Sequence, residues 1–88
     1  MSKPYEVVLA ADVVRSIRRL PKQYQASVIA ALGALATDPR LGKPLVGELS
    51  GIWSLRRGDY RLLYRIDDGA RRIEVARVGH RREIYRRP

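Results

Sequence analysis

With 88 residues and 45% hydrophobic side chains, the chain has room for one core, and we expect residues 1–88 to form a single domain. The absence of cysteine excludes disulfides and a thiol nucleophile, and no run approaches the roughly 18 apolar residues of a membrane span, so we expect a cytoplasmic protein without a membrane partner. The formal net charge of +9 is large for this length and favours an anionic partner such as a nucleic acid or an acidic protein.

The N-terminal half is predicted to form a strand followed by two helices. Tyr5–Leu9 is rich in residues that favour a strand. From residue 11 the apolar residues change to helical spacing, and one stripe contains Val13, Val14, Ile17 and Leu20. Pro21 ends this helix and suits the start of a second helix over Lys22–Thr37.

The C-terminal half is predicted to be mostly strand. Glycines and prolines indicate a loop over Arg40–Ser50. Two strands joined at a tight Gly-Asp turn follow, Ile52–Arg57 and Tyr60–Ile66, and a third is expected over Arg72–Val78 before a polar tail from Gly79. The order β-α-α-β-β-β predicts an α+β fold: a small antiparallel sheet with the N-terminal two-helix hairpin packed on one face. The other face of the sheet is then open.

Side-chain alternation predicts which residues reach the open face. If Leu62 and Tyr64 pack on the helices, Arg61 and Arg65 project from the opposite side. We expect Tyr64 and Trp53 to lie in or beside the core. The last strand has no clean alternation, so its arginine, Arg77, is not assigned to a face.

Arginines are concentrated in the C-terminal part of the chain. Residues 53–88 hold eleven arginines, no lysine and five acidic side chains, a net charge of +6, and guanidinium groups match phosphate well. With one histidine, no cysteine and no Gly-rich phosphate loop, we expect neither a metal nor a cofactor. The remaining groups suit metal-free cleavage of RNA by attack of the ribose 2′-OH on the adjacent phosphate, with His80 or Tyr85 moving protons. On residue types alone, binding of nucleic acid or an acidic protein without cleavage stays the leading interpretation.

Two motifs then identify a resemblance. Leu49–Ile66, LSGIWSLRRGDYRLLYRI, followed by Val78–Tyr85, VGHRREIY, resembles the RelE branch of the RelE/ParE toxin superfamily, and the resemblance covers nearly the whole chain. It implies a RelE-like ribonuclease toxin fold, encoded beside an antitoxin. It also implies the activity of that branch, an mRNA interferase that cleaves mRNA in the ribosomal A site, without metal, by 2′-OH attack.

The resemblance also implies roles for individual residues. Arg61, within the Tyr-Arg-Leu-x-Tyr motif, would stabilise the phosphorane, and Arg81, after Gly-His, would act as an acid or stabilise the leaving group. Tyr85 would act as base or stacking residue. His80 stands where relatives have histidine or lysine, and it completes the catalytic set.

A second set of arginines is expected to contact RNA phosphates: Arg56, Arg57, Arg65, Arg77 and Arg82. The chain departs from the pattern at Ser54, because some relatives have a lysine directly after the hairpin aromatic. A phosphate contact or proton shift made by that lysine would have to come from Arg57 or His80.

Two alternatives remain open at this point. One is a ParE-like inhibitor of DNA gyrase, against which the presence of Arg61, Arg81 and Tyr85 together argues. The other is an RNA-binding or ribosome-binding module without catalysis, since a fold alone does not fix activity. The partners expected for the toxin are a cognate antitoxin protein, in a possible hetero-oligomer, and mRNA on the ribosome.

Overall fold

The first predicted helix is present in the computed structural model, which describes residues 3–84. This helix, α1, spans Ala11–Arg18 and buries Val13 and Ile17, which lie four residues apart on one face. It ends before its apolar stripe does, and the Gln25 side chain donates a hydrogen bond to the Leu20 carbonyl at 2.7 Å. That bond satisfies a backbone acceptor in the connection, which fixes the short link to the next helix.

The second helix, α2, spans Lys22–Thr37, as the sequence predicts. Val28, Ala31 and Leu35 are buried on the face that meets the sheet. The helix stops at an Asp-Pro pair, because a residue before proline is disfavoured in the α region. The two helices therefore form the expected hairpin on one side of the sheet.

The strands form a single five-stranded sheet in the order β1-β5-β4-β3-β2. Their bounds are β1 Glu6–Leu9, β2 Lys43–Pro44, β3 Trp53–Arg57, β4 Tyr60–Asp67 and β5 Arg72–His80. The α+β architecture with helices on one face is thus as predicted. The last strand continues two residues beyond the predicted end, so the tail begins at residue 81.

One pair of strands differs from the antiparallel expectation. β2, β3, β4 and β5 are antiparallel to their neighbours, whereas β1 runs parallel to β5, with Glu6 opposite Arg72 and Leu9 opposite Val75. The helical hairpin carries the chain from β1 to the far edge of the sheet, and the successive antiparallel strands bring it back beside β1 in the same direction. The sheet is therefore mixed, with one parallel pair at its edge.

The segment predicted as loop contributes the other edge strand, β2. Lys43 pairs with Ser54, and Pro44 pairs with Trp53 of β3. A proline is tolerated here because an edge strand needs hydrogen bonds on one side only. The rest of the segment is irregular apart from a short 3₁₀ turn at Gly47–Leu49.

A β-bulge decides which face of the sheet the side chains of β5 point to. Leu63 of β4 lies opposite Arg77, whereas the next residue, Tyr64, lies opposite Val75, so Ala76 is the additional residue on β5. The bulge shifts the alternation by one, and both Val75 and Val78 reach the core. Arg77, which the sequence left without a face, therefore points to the open side.

The core lies between the helices and one face of the sheet. Tyr64 is fully buried there, and its ring stacks on Trp53 with centroids 6.5 Å apart, which confirms the predicted place of both aromatics. Leu63 and Ile84 are also buried, although neither belongs to the main cluster. No helix within residues 3–84 combines the length and apolar character needed to cross a membrane.

Candidate nucleic-acid interface

Two arginines face each other on the open side of the sheet. Arg56 of β3 lies directly opposite Arg61 of β4, and Gly79 of β5 continues the row. Like charges in directly opposed strand positions repel each other and destabilise the sheet. A ligand that brings negative charge between them relieves this repulsion, so the row is suited to an anion.

A cleft of about 500 Å³ opens beside these arginines. Its lining includes three cationic side chains and one hydroxyl from three adjacent strands, which we call the cationic cleft: Lys43, Ser54, Arg56 and Arg61. No acidic side chain belongs to the described residues that line it. The cleft therefore concentrates positive charge without an internal counter-ion, as a phosphate-binding surface requires.

The Tyr64 hydroxyl holds the edge strand against the cleft. It donates a hydrogen bond to the Pro39 carbonyl at 2.8 Å and accepts one from the Gly42 N–H at 3.1 Å. Burial raises the pKa of the Tyr64 phenol, so the hydroxyl remains a proton donor throughout the neutral range. Gly42 is required because a Cβ there would lie 2.5 Å from the Ser54 carbonyl oxygen. The residue before Lys43 is thus tightly packed from two sides.

Arg81 lies in the turn that follows β5. Its backbone N–H donates to the Asp59 carbonyl at 2.8 Å, which ties this turn to the β3–β4 hairpin. Its side chain is exposed. The structure therefore places Arg81 near the hairpin end of the sheet, at the same end as the Arg56–Arg61 pair.

His80 does not join Arg61 on the open face. It pairs with Tyr60, and the two rings meet edge to face with centroids 5.7 Å apart. Tyr60 in turn packs on Tyr24 of α2 at 4.7 Å, so the imidazole lies on the helix side of the sheet. Its Nδ1 accepts a hydrogen bond from the Arg82 N–H at 3.1 Å, which puts the proton of the neutral ring on Nε2.

The His80 carbonyl also accepts hydrogen bonds from the backbone N–H groups of Glu83 and Ile84, both at 2.9 Å. Ring and carbonyl together organise the turn that carries Arg81. The geometry gives His80 a positioning contact with this turn, and separates its ring from the cationic cleft.

The other predicted phosphate contacts are dispersed. Arg57 alternates with Arg56 and is directed to the helix side, with its guanidinium bonded to the Arg56 carbonyl. Arg65 shares the open face but lies opposite Glu74, further along the sheet. Arg77 donates to the Ile84 carbonyl at 3.1 Å and so holds the C-terminal turn.

Arg82 is exposed, and its backbone N–H donates a hydrogen bond to the His80 Nδ1. Tyr85 lies outside the described residues, so its role stays a prediction. Neither Arg57 nor His80 lines the cleft beside Ser54. The cation beside Ser54 is Lys43, which pairs with it across the strands. Sequence reasoning missed this lysine because the flanking Gly42 and Pro44 are typical of a loop.

Ile84 covers part of the open face. A Cβ at Gly79 would lie 3.5 Å from the Ile84 Cδ1, and Ile84 is 3% exposed. This contact anchors the residues after β5 on the sheet beside Arg61. Within residues 3–84, no three His, Cys, Asp or Glu side chains are grouped so that they could hold a metal ion.

Comparison with known proteins assigns the chain to a class. Residues 7–85 match the family described as ParE toxin of type II toxin-antitoxin system, parDE, and the chain belongs to this family of toxins. The superfamily resemblance predicted from the two motifs is thereby confirmed.

Individual relatives of the chain are toxins named RelG and RelE. It is 48% identical over 86 residues to Toxin RelG of Mycobacterium tuberculosis, covering 96% of this chain and 99% of the relative. It is 44% identical over 85 residues to Toxin RelE of the same organism, covering 94% and 88%. The solved toxin–antitoxin complex RelBE2 from Mycobacterium tuberculosis matches with a TM-score of 0.81 at 44% identity, covering 91% of this chain and 94% of the matched chain. The α+β fold is accordingly that of RelE-like toxins.

Proposed function

We propose that the protein is an endoribonuclease of the mRNA interferase type, which cleaves mRNA by attack of a ribose 2′-OH on the adjacent phosphate. The observation that carries the proposal is the pair of directly opposed arginines, Arg56 and Arg61, in a cleft that no described acidic residue lines. Its similarity to the toxins named RelE and RelG supports this proposal. Metal independence is part of the proposal.

The reaction needs an in-line phosphate, stabilisation of charge on the phosphorane, and movement of two protons. Arg61, central in the row and half-buried, is assigned to the phosphorane oxygens, and Arg56 to the phosphate on the neighbouring strand. Arg81 is assigned to the leaving 5′ oxygen. The base is assigned to Tyr85, on the basis of the motif.

His80 is assigned a positioning role. Its Nδ1 is engaged with the Arg82 N–H and its ring packs on Tyr60, away from Arg61. The imidazole therefore supports the turn that presents Arg81. This assignment replaces direct proton transfer by His80 as the leading hypothesis.

The proposed partners are a cognate antitoxin, in a hetero-oligomer, and mRNA on the ribosome in the cytoplasm. The similar RelBE2 structure is described as a toxin–antitoxin complex, which supports an antitoxin partner for this chain. A chain with a net charge of +9 binds RNA non-specifically unless its basic face is covered. Isothermal titration against the product of the neighbouring gene tests the first partner, and absence of heat at micromolar concentrations argues against it.

Cleavage is tested in a reconstituted translation system by mapping the ends of mRNA fragments. Wild type is compared with Arg61→Ala and with a matched control, Arg15→Ala, which removes one exposed arginine from α1 on the other side of the sheet. We expect cuts with wild type and control, and a loss of about 10²–10³-fold for Arg61→Ala.

Cuts that persist at full rate in the Arg61 variant would remove the central residue of the proposal. No cuts by wild type would reject the nuclease activity, and a DNA gyrase supercoiling assay would then test the ParE-like alternative. Equal cleavage of naked RNA and translated mRNA would reject dependence on the ribosome.

A further inference from the structure

We propose that Lys43, on the edge strand β2, is a further RNA-contacting residue of the cationic cleft, where it binds the phosphate next to the one held by Arg56 and Arg61. The inference rests on the proposed function. It assigns a role to a segment that the sequence marks only as loop.

Register places Lys43 at the cleft. It is directly opposite Ser54 in an antiparallel pair, and opposed residues in such a pair point to the same face with Cβ atoms about 4.5–5.5 Å apart. Ser54 and Arg56 are two residues apart on β3, hence also on that face. The lining of the cleft includes Lys43 together with Ser54, Arg56 and Arg61. Three cations on three neighbouring strands thus border one opening.

The backbone of β2 is held firmly enough to present this lysine. Gly42, immediately before it, bonds to the Tyr64 hydroxyl and fits against the Ser54 carbonyl with no room for a side chain. Just beyond β2, the Leu45 N–H donates to the Ile52 carbonyl at 2.8 Å. Lys43 is therefore fixed at its Cα on both sides, while its ammonium group extends into solvent.

The chemistry matches a nucleic-acid backbone. Successive phosphates of a single strand require several cations in a row, and the ammonium group of lysine is a compact donor for a phosphate oxygen. Ser54 opposite is uncharged, so Lys43 is the source of positive charge on this side of the cleft. A lysine moved across the strand pair to position 54 would occupy the same opening.

This exchange supplies a sharp test. We compare wild type, Lys43→Ala, the matched control Lys22→Ala on exposed α2 surface, and a swap that combines Lys43→Ser with Ser54→Lys. Each is assayed for mRNA cleavage in the translation system. Each is also titrated, across a salt series, with a single-stranded oligonucleotide carrying 2′-deoxy sugars, which cannot be cleaved by 2′-OH attack.

We expect Lys43→Ala to reduce cleavage by about ten- to a hundredfold. The slope of log affinity against log salt should become shallower by about 0.7, the value for one lost phosphate contact on a single strand. Lys22→Ala should leave both readouts at the wild-type level. The swap should recover the wild-type slope and most of the cleavage. Circular dichroism melting of each variant confirms that it is folded.

The outcomes separate the two proposals. If wild type cleaves and Lys43→Ala matches Lys22→Ala in both readouts, Lys43 is not in the site, whereas the nuclease proposal stands. If no variant cleaves but the slope falls for Lys43→Ala alone, the RNA contact holds and the nuclease proposal fails. A swap that binds no better than Lys43→Ala contradicts the placement of the lysine opposite Ser54.

Discussion

Arg56 and Arg61 bring two like charges together, although the Arg56 Nε also donates a hydrogen bond to the Gly58 carbonyl at 3.1 Å. Their directly opposed charges repel across β3 and β4, and the cleft they line contains no described carboxylate to offset them. We propose that the pair serves binding, because removing one of the two charges relieves the repulsion. The same two side chains should therefore show opposite effects on stability and on activity.

This opposition can be measured with Arg61→Gln, which keeps much of the side-chain stem and removes the charge. We expect the free energy of unfolding to rise by about 0.2–1 kcal/mol at low salt. The gain should shrink at high salt, because exposed charges are screened there. RNA cleavage should be lost. Urea unfolding at two salt concentrations measures the effect.

Arg15→Gln, on the outer face of α1, is the control for general loss of charge. If Arg61→Gln destabilises the protein equally at both salt concentrations, packing of the arginine stem outweighs repulsion. That result would contradict the strained-pair interpretation.

His80 allows its two ring nitrogens to be tested separately. Asparagine places an oxygen near the position of Nδ1, and glutamine places its amide near Nε2. Because the structure engages Nδ1 with the Arg82 N–H, we expect His80→Asn to keep cleavage within about tenfold of wild type and His80→Gln to lose more. Single-turnover cleavage rates provide the comparison. A loss of about 10²–10⁴-fold in both variants would return His80 to direct proton transfer.

At the scale of elements, the cleft depends on a two-residue strand that is positioned by one phenol. Tyr64 belongs to the buried face of β4, yet its hydroxyl bonds to Pro39 and Gly42 in the segment that leads into β2. Core packing and cleft geometry therefore meet in a single side chain. A change that leaves the core apolar but removes the hydroxyl should affect both.

We expect Tyr64→Phe to lower the free energy of unfolding by about 1–3 kcal/mol, because it leaves two part-buried backbone groups without their partner. Amide hydrogen exchange at Gly42 should accelerate, and cleavage should fall as Lys43 loses its fixed position. Trp53→Phe, a change at the neighbouring aromatic that removes no such hydrogen bond, is the comparison. Unchanged exchange at Gly42 would show that the hydroxyl does not hold the edge strand.

The sequence was sufficient for elements whose signal is local. Helical spacing predicted both helices, and alternation about the Gly-Asp turn predicted the β3–β4 hairpin and the outward placement of Arg61. β2 was missed because two residues carry no period and Gly42 and Pro44 favour a loop. The parallel pairing of β1 was missed because a strand's local pattern does not identify its partner.

The candidate site was predicted less completely, for a related reason. Arg77 could not be assigned a face because the bulge at Ala76 has no signature in residue types. His80 and Arg81 are adjacent in sequence and were expected to act together. The alternation of β5 directs the ring of His80 toward Tyr60, while the chain turns before Arg81.

At the scale of the whole molecule, one carboxylate joins three distant segments. Asp68, in the β4–β5 turn, accepts a hydrogen bond from the Tyr5 hydroxyl at 2.6 Å and forms an ion pair with Arg40 at 2.7 Å. The hydrogen bond from Arg40, followed by that from Tyr5, lowers the pKa of Asp68 below its ordinary value. The residue thereby links the start of the chain, the end of α2 and the sheet.

A lowered carboxyl pKa makes the free energy of unfolding depend on pH in a defined direction. The stabilisation is fully present above the unfolded-state pKa, near 4, and is lost as the pH falls through the lower folded-state pKa. We therefore expect Asp68→Asn to be less stable than wild type at pH 7, with the difference closing below about pH 4. Chemical unfolding at several pH values measures it. A difference that does not change with pH would contradict the ionic origin.

The parallel pairing of β1 with β5 has a consequence for the toxin's own synthesis. Val7 lies beside Ile73 in the sheet, so the first strand to be translated has no partner until the nascent chain reaches the last one. The row of opposed residues that contains Arg56 and Arg61 is likewise incomplete until Gly79 of β5 has paired with Arg61. On the ribosome, β1 therefore lacks its neighbour in the sheet until β5 has been made. A partner that recognises the complete five-stranded sheet has no target until β5 has been made.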